Sequence, residues 1–475
     1  MSGALAARTM NAEIDTKELA VAGGTSRGSD GDTPLSRRQL LAAGAGAAGL
    51  GVGRNAESTS SASGKASGPR ESGTKSFGGR ISRQQLEHYL SHAITFQGLT
   101  ASFPEGTSDT FDDDVRMLAN IGARFVGQAG YAWAPPNDDD AHFALAAERA
   151  RKVHRVLPDV MLQAAVFETA YTSVENIQIP GWVFAEFDMP KEQRTFDYEA
   201  MLFENGRFVD HWGPGASVPD VRRRETQLWF FYRAARYIDA GHESIHFGQM
   251  ELTGAEDSNH DAWAELLSRV RRYARRNARR GLVLISAHTY GLVRDGKLLL
   301  DFHSWPLRPD EVVDQPQHAV LRLEQDLGNL SGIYRRSKGG VTPSGWYTDS
   351  LTYVVEFDNY GGVGPNPGEP DLSSIWTWGY DEIAWFARQP ESYRNSWLRY
   401  AWDWVRANDP TGWVMMPGRR TLGNAPITLE APLHTADGTI EQVKAWMFKG
   451  ATRSTHNPAG FSVEETIKAI WNDDR

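Results

Sequence analysis

Short runs of apolar residues recur along the chain after Phe77, and segments of mixed polarity separate them. Each run is nearly continuous, which is typical of strands buried on both faces of a parallel sheet. The pattern therefore predicts eight core strands, at 92–98 (HAITFQG), 123–130 (ARFVGQAG), 160–168 (VMLQAAVFE), 244–252 (SIHFGQMEL), 282–288 (LVLISAH), 298–305 (LLLDFHSW), 352–358 (TYVVEFD) and 412–416 (GWVMM).

Helical periodicity occupies several of the intervals between these runs. The segment 112–121 opens with acids that suit a helix N-terminus, and 140–157 is apolar on one face and ends before Pro158. Further helices are predicted at 225–240, 261–280 and 457–473, and one or two helices at 381–408. Alternating strands and helices indicate parallel strands with right-handed crossovers. Eight strands favour an α/β fold of the closed (β/α)8 TIM barrel type over an open doubly wound sheet.

Two connections depart from a regular barrel. The residues 291–297 between the fifth and sixth runs resemble a turn, so these runs form either a barrel pair or a hairpin, with the sixth strand elsewhere in the latter case. A long insertion, 170–224, follows the third strand, and loops of that length are usually functional. Its aromatic residues are too many for a free loop, and we expect them to form a cleft wall over the barrel mouth. They are Trp182, Phe184, Phe187, Phe203 and Trp212.

The first 78 residues have a different composition. They are rich in Gly, Ala, Ser and Thr, and Phe77 is the first aromatic residue of the chain. Arg37 and Arg38 precede a mildly apolar stretch, 42–53, in an arrangement that resembles a twin-arginine export signal, although a chance pair in a disordered tail is the alternative. We predict a signal and linker at 1–78, a folded domain at 79–475, and a secreted, cell-surface or periplasmic location.

Charge and composition exclude several classes of function. The 475 residues carry 50 Lys and Arg against 60 Asp and Glu, a net charge of −10, which disfavours nucleic acid as a partner. Zero cysteines exclude disulfides, thiolate metal sites and a cysteine nucleophile. No run of about 20 apolar residues is present, so no stable membrane insertion is expected. No metal and no cofactor are predicted, and the oligomeric state is not predictable from the sequence.

Acidic residues occur where predicted strands end. The third run ends at Glu168 and the fourth contains Glu251 near its end, while Glu356 and Asp358 close the seventh on one face. Catalytic groups of a barrel lie at the C-terminal ends of strands. Converging acids there indicate general acid–base chemistry or an oxygen-ligand metal site, although each acid alone could cap a loop or bind a backbone amide.

Histidines and aromatic residues lie near the same strand ends. His288 and His303 are expected either to contact substrate and tune the acids, or to be satisfied structural histidines. Aromatic rings pack on the C–H faces of sugars, so rings around acids favour a carbohydrate substrate. The rings selected for stacking or substrate contact are Trp133, Trp182, Trp305, Trp378 and Tyr360.

The arrangement resembles the large (β/α)8 clan of retaining glycoside hydrolases. In that clan the acid/base follows the fourth strand and the nucleophile follows the seventh, and the resemblance, which covers 77–475 in architecture only, places these roles on Glu251 and Glu356. It departs at Met250, where the clan usually has Asn. That departure leaves Glu168 as a competitor for the acid role.

The sequence thus predicts an exported glycoside hydrolase that acts on a polysaccharide or oligosaccharide through two carboxylates. Three alternatives remain open. A polysaccharide lyase would need a Tyr, His or Lys base and a group that neutralises a uronate. A glycan-binding protein on a degenerate barrel would bind without turnover, and a metal-dependent hydrolase would be sensitive to chelators.

Overall fold

The computed structural model describes residues 76–101, 109–324, 333–334, 337–360, 362–423, 426–434 and 439–473. The predicted export signal lies outside the described residues. Phe77, which was assigned to the linker, packs on the domain: its N–H donates to the Arg280 carbonyl at 2.9 Å and its ring meets Tyr89 edge-on. Within these ranges no helix combines the length and the apolar character that crossing a membrane requires.

The core strands of the described residues are β1 Ala93–Phe96, β2 Phe125–Gly130, β3 Met161–Ala165, β4 Ser244–His246, β5 Leu284–Ser286, β6 His303–Pro306, β7 Tyr353–Glu356, β8 Gly412–Val414, β9 Met416–Thr421 and β10 Met447–Lys449. Each strand from β1 to β9 overlaps one of the predicted runs, whereas β10 lies outside them. In hydrogen-bonding order a seven-stranded sheet runs β10-β9-β1-β2-β3-β4-β5 and a three-stranded sheet runs β6-β7-β8. All neighbours are parallel except β9 and β10.

Two links join these sheets. His288, just after β5, forms a parallel bridge with Ser304 of β6. On the other side β8 continues into β9 through Met415, whose N–H donates to the Val355 carbonyl of β7 at 2.8 Å. β8 pairs with β7, and β9 pairs with β1.

The predicted helices are confirmed, and the segment 381–408, predicted as one or two helices, forms two. Pro390 separates them, because proline cannot supply the backbone donor that an interior position needs. Capping follows the sequence: Ser82 and Gln85 form a capping box, and Asp138 and Asp381 cap later helices. The helices are α1 Arg83–Leu90, α2 Phe111–Ile121, α3 Asp139–Val156, α4 Arg224–Asp239, α5 Asp261–Asn277, α6 Glu382–Arg388, α7 Glu391–Asn408 and α8 Glu464–Asp473.

The connection between β5 and β6 contains a hairpin rather than a helix. Val293–Arg294 pairs antiparallel with Lys297–Leu298 across Asp295 and Gly296, both of which have positive φ angles (51° and 71°), as a tight hairpin turn requires. Both predicted alternatives for 291–297 are therefore present. The segment forms a hairpin, and β5 and β6 are also linked in parallel through the His288 bridge. The hairpin belongs to a small four-stranded sheet beside the core.

The insertion after β3 divides into two parts. In the first part Trp182 and Phe187 pack against Phe231 of α4, with ring centroids 6.1 and 5.4 Å away. Near its end the Trp212 indole N–H donates to the Glu168 carbonyl at 3.2 Å. The expectation that all its rings cover the strand ends is wrong, because the first part buries its rings on the outer helices.

Candidate functional site

Glu356 ends β7 and is 2% exposed. Its Oε2 accepts hydrogen bonds from the Thr95 hydroxyl and Arg420 Nη1, both at 3.0 Å. Gln128 Nε2 lies 3.2 Å from Oε1 and 3.3 Å from Oε2, and His288 Nε2 lies 3.3 Å from Oε1. We call these five residues the Glu356 cluster. Four strands or strand ends converge on one carboxylate.

The cluster keeps Glu356 ionised. Burial opposes ionisation, but Arg420, followed by His288 and His246, outweighs it and lowers the pKa of Glu356 from 4.5 to about 2. A carboxylate with this pKa is ionised at neutral pH. It can accept hydrogen bonds or act as a nucleophile, but it does not act as a proton donor.

Asp358 shares the same guanidinium. Arg420 Nη2 donates to its Oδ1 at 2.9 Å, and Arg308 Nη2 lies 3.7 Å from Oδ2. Burial opposes the charge, but Arg420 and then Arg308 hold the pKa of Asp358 below its ordinary value. Arg308 Nη1 also lies 3.2 Å from Glu382 Oε1. Two carboxylates at the end of β7 therefore converge on Arg420, as expected if both face the same way.

Glu251 does not end a strand. β4 stops at His246, Gly248 adopts a φ of 54°, and Met250–Thr253 forms one helical turn. The predicted strand 244–252 is too long because the glycine breaks its extended backbone. Glu251 is exposed, and its Oε1 accepts the Thr289 hydroxyl at 2.6 Å. Thr289 directly follows His288, which links Glu251 to the Glu356 cluster through adjacent residues.

Glu168 is 4% exposed and lies three residues after β3. Its Oε1 accepts from Gln249 Nε2 at 2.9 Å, and its Oε2 accepts from the Gln249 N–H at 3.1 Å. Both oxygens of Glu168 therefore accept hydrogen bonds from Gln249.

The Glu168 side chain occupies its position only because residue 248 is glycine. A Cβ on Gly248 would lie 1.8 Å from Glu168 Oε2. We expect Gly248→Ala to displace Glu168 and to lower the melting temperature. Gly206→Ala is the matched control, since Gly206 has a φ of 73° and open space around the added carbon. The control variant should be destabilised only by the left-handed backbone conformation, by about 1 kcal/mol. Equal melting temperatures for the two variants, measured by circular dichroism, would contradict the steric argument.

The two selected histidines lie in different surroundings. His288 contacts Glu356, as predicted, and is half-buried. His303 is 0% exposed, and burial lowers its pKa to about 3. Its ring lies directly under Gly291, where a Cβ would come within 2.7 Å. The ring is sealed beneath the chain and is not exposed for contact with a substrate, and its expected role in tuning the acids stays a prediction.

Residues 242–246 (HESIH) match the His-Glu-x-x-His pattern of zinc enzymes, which needs both histidines on one helix face. Here His246 lies on β4, and Glu243 is bound to Arg280 at 2.7 Å. Within the described ranges no group of three His, Asp or Glu side chains is arranged to hold a metal ion.

Half-buried aromatic residues contact neighbours of the acids. The ring centroid of Trp133 lies 4.9 Å from that of Phe167, the residue before Glu168, and 5.3 Å from that of Trp212. The ring centroid of Trp305 lies 6.3 Å from that of His288 and 5.7 Å from that of Tyr290. Trp212 was predicted for the cleft wall but not for stacking, and Tyr290 was not among the rings selected for substrate contact, although it follows a strand end.

Two further rings do not serve as expected. Trp378 is 3% exposed, and its indole N–H donates to the His318 carbonyl at 2.8 Å, so it cannot stack on a sugar. Trp182 is packed among Phe231, Tyr232 and Tyr273 of the outer helices. Both are large apolar side chains that complete packing. Tyr360 is half-buried, four residues after Glu356.

No family model matches the sequence, and no curated protein matches it. The chain is similar to several solved structures of glycoside hydrolases. An α-galactosidase from Thermus thermophilus shares 10% identity over 41% of this chain and 37% of its own, with a TM-score of 0.27. An α-amylase from Geobacillus thermoleovorans shares 11% over 81% and 78%, with a TM-score of 0.38. An isomalto-dextranase from Arthrobacter globiformis T6 shares 12% over 77% and 72%, with a TM-score of 0.33.

The chain spans only 37% to 54% of the length of the first structures that it matches. Similarity at these TM-scores establishes neither a shared fold nor a shared activity.

Proposed function

We propose that this protein is a glycoside hydrolase whose reaction centre is the Glu356 cluster. The observation that carries the proposal is a buried carboxylate with a pKa of about 2, held by four donors at the end of β7. Such a group is preorganised as an ionised nucleophile. The half-buried ring of Trp305, whose centroid lies 6.3 Å from that of His288, suits the C–H face of a sugar, and so does the half-buried ring of Trp133 beside Phe167.

The architecture that we propose for this chemistry is a closed (β/α)8 barrel. When the His288–Ser304 bridge and the continuity of β8 with β9 are counted, the parallel order runs from β1 to β8 and returns through β9 to β1, and β10 lies antiparallel beside β9. The helices α2, α3, α4, α5 and the pair α6–α7 lie between successive strands. In a barrel the side chains that follow β3, β5 and β7 share one mouth.

In the proposed reaction Glu356 attacks the anomeric carbon, and the glycosidic C–O bond breaks as a proton passes from a second carboxyl group to the leaving oxygen. Water then attacks the glycosyl-enzyme, giving its proton to that second group and releasing Glu356. Glu251 is the better candidate for the second group, because it is exposed whereas both oxygens of Glu168 are bound to Gln249.

The charges favour a glycosidase of uncharged sugars over a lyase. A lyase needs a cationic group that neutralises a uronate. Arg420 is bound to Glu356 and Asp358, and Arg308 is bound to Glu382 and lies near Asp358. Neither guanidinium is available without breaking an ion pair.

A screen of the purified protein against a glycan library, read by mass spectrometry, tests the proposal. Products heavier by one water per cleaved bond support hydrolysis. Unsaturated products that absorb in the near ultraviolet would identify a lyase, and binding without turnover would identify a glycan-binding protein. Hydrolysis that stops on addition of a chelator would identify a metal-dependent hydrolase.

We also propose export through Arg37 and Arg38, which lie outside the described residues. Twin-arginine signals are read through the arginine pair. Replacing both with lysine should retain the protein in the cytoplasm of the producing bacterium, as judged by immunoblots of cell fractions. Unchanged export would rule out the twin-arginine reading, and a Lys65→Arg variant controls for expression.

A further inference from the structure

The backbone of β2 is irregular at Gln128. The register between β2 and β3 shifts between Val126 and Gly130, and Gln128 has a φ of 54°. A left-handed conformation is uncommon for a residue other than glycine, and it costs on the order of 1–3 kcal/mol unless the surroundings impose it. Strain of this kind is often found at functional sites.

The neighbouring strands hold Gln128 in this conformation. Its N–H donates to Gln163 Oε1 of β3 at 3.3 Å, and its carbonyl accepts the Gly98 N–H, just after β1, at 2.8 Å. The Gln163 amide is itself fixed by the hydroxyls of Ser244 and Ser286 at 3.3 and 3.1 Å. The conformation of Gln128 is therefore set by groups on four strands or strand ends.

A bulge re-aims the side chain that it carries. The Gln128 side chain is 4% exposed and points its amide at Glu356. Among the four donors of the Glu356 cluster, Gln128 alone reaches both carboxylate oxygens, since Thr95 and Arg420 bind Oε2 and His288 lies near Oε1.

We propose that Gln128 is a positioning residue that fixes the plane of the Glu356 carboxylate, and that the strained bulge exists to present its amide there. A single nitrogen between two oxygens restricts rotation of the carboxylate without adding charge. The catalytic consequence rests on the proposed function, whereas the contact with Glu356 does not.

The test is a double-mutant cycle of Gln128→Glu and Glu356→Gln, measured by denaturant unfolding at pH 5 and pH 7. Glutamate keeps the shape of glutamine but places a second carboxylate beside Glu356, which remains ionised at both pH values. Repulsion raises the pKa of the introduced glutamate in the folded state. A raised pKa stabilises the folded state at low pH, and that stability is lost as pH rises.

We therefore expect Gln128→Glu to lose at least about threefold in the folding equilibrium constant relative to wild type between pH 5 and pH 7, which is the loss that a rise of one unit in the pKa of the introduced carboxyl gives over this range. The same substitution in the Glu356→Gln background should lack this loss. Equal effects in both backgrounds at both pH values would mean ordinary packing and would overturn the proposal. If Gln128→Glu does not fold, Gln128→Met replaces it, and additivity with Glu356→Gln would overturn the proposal.

Kinetics separate this inference from the proposed function. On any glycan that the protein hydrolyses, Gln128→Glu should add a change in kcat/KM between about pH 5 and pH 7, where the introduced carboxyl loses its proton beside Glu356. Coupling in the stability cycle without hydrolysis would refute the glycosidase and leave the positioning role. Hydrolysis without coupling, and without this added pH dependence, would refute the positioning role alone.

Discussion

Glu356→Gln is expected to lower kcat by more than about 10⁴-fold on a glycan that the wild-type protein hydrolyses, because an amide oxygen is a poor nucleophile. The substitution also removes one partner of Arg420, which keeps its contact with Asp358. Circular dichroism and thermal melts should therefore accompany the kinetics. Retention of more than a tenth of kcat would remove Glu356 from the role of nucleophile.

Chemical rescue distinguishes loss of the nucleophile from loss of structure. Glu356→Ala leaves room for a small anion, and added azide should then attack the anomeric carbon and release a glycosyl azide. Asp358→Ala is the matched control, since Asp358 shares Arg420 with Glu356 but is not assigned to the attack. Rescue of the Asp358 variant instead would exchange the roles of the two acids.

Glu251→Gln is expected to lower kcat by about 10²–10⁴-fold on natural glycans, because the leaving oxygen then lacks its proton donor. Aryl glycosides with acidic leaving groups need little protonation and should lose far less. Glu251 is exposed, so its replacement should leave the melting temperature unchanged.

The parallel substitution Glu168→Gln decides between the two candidates. Glu168 is buried against Gln249, so this variant should melt at a lower temperature and show no dependence on the leaving group. If the leaving-group dependence appears in Glu168→Gln and is absent from Glu251→Gln, Glu168 is the acid and the resemblance at the fourth strand is wrong.

The apolar pattern predicts the core because burial on both faces leaves a continuous signature in the sequence. Every predicted strand overlaps an observed one, and every predicted helix is present. An error occurs where a single residue changes the backbone, since Gly248 ends β4 before Glu251. The pattern over 381–408 likewise left one or two helices open, and Pro390 divides the segment into two. The hydrophobic character of a run does not register such breaks.

The candidate site is less predictable than the fold. Glu356 and His288 could be selected because they are polar groups near the ends of apolar runs. Their partners Thr95, Gln128 and Arg420 come from other strands, and nothing local marks them. Residue type alone also cannot separate an exposed ring from a buried one.

Trp378 and His303 illustrate that limit, since both lie near predicted strand ends and both are sealed in the interior. Burial depends on what the rest of the chain packs over a side chain. A local sequence pattern does not show which distant residues pack over a side chain.

The pairing of β1 with β9 has a consequence for the order of folding. Gln97 and Arg419 are 322 residues apart in the chain, yet they are hydrogen-bonded neighbours. Contacts of such high sequence separation form late, because the loop-closure entropy must be overcome first. A nascent chain synthesised only as far as β7 contains Glu356 without Arg420, and so carries a carboxylate that cannot be buried at low cost. The Glu356 cluster therefore cannot form until β9 has been synthesised.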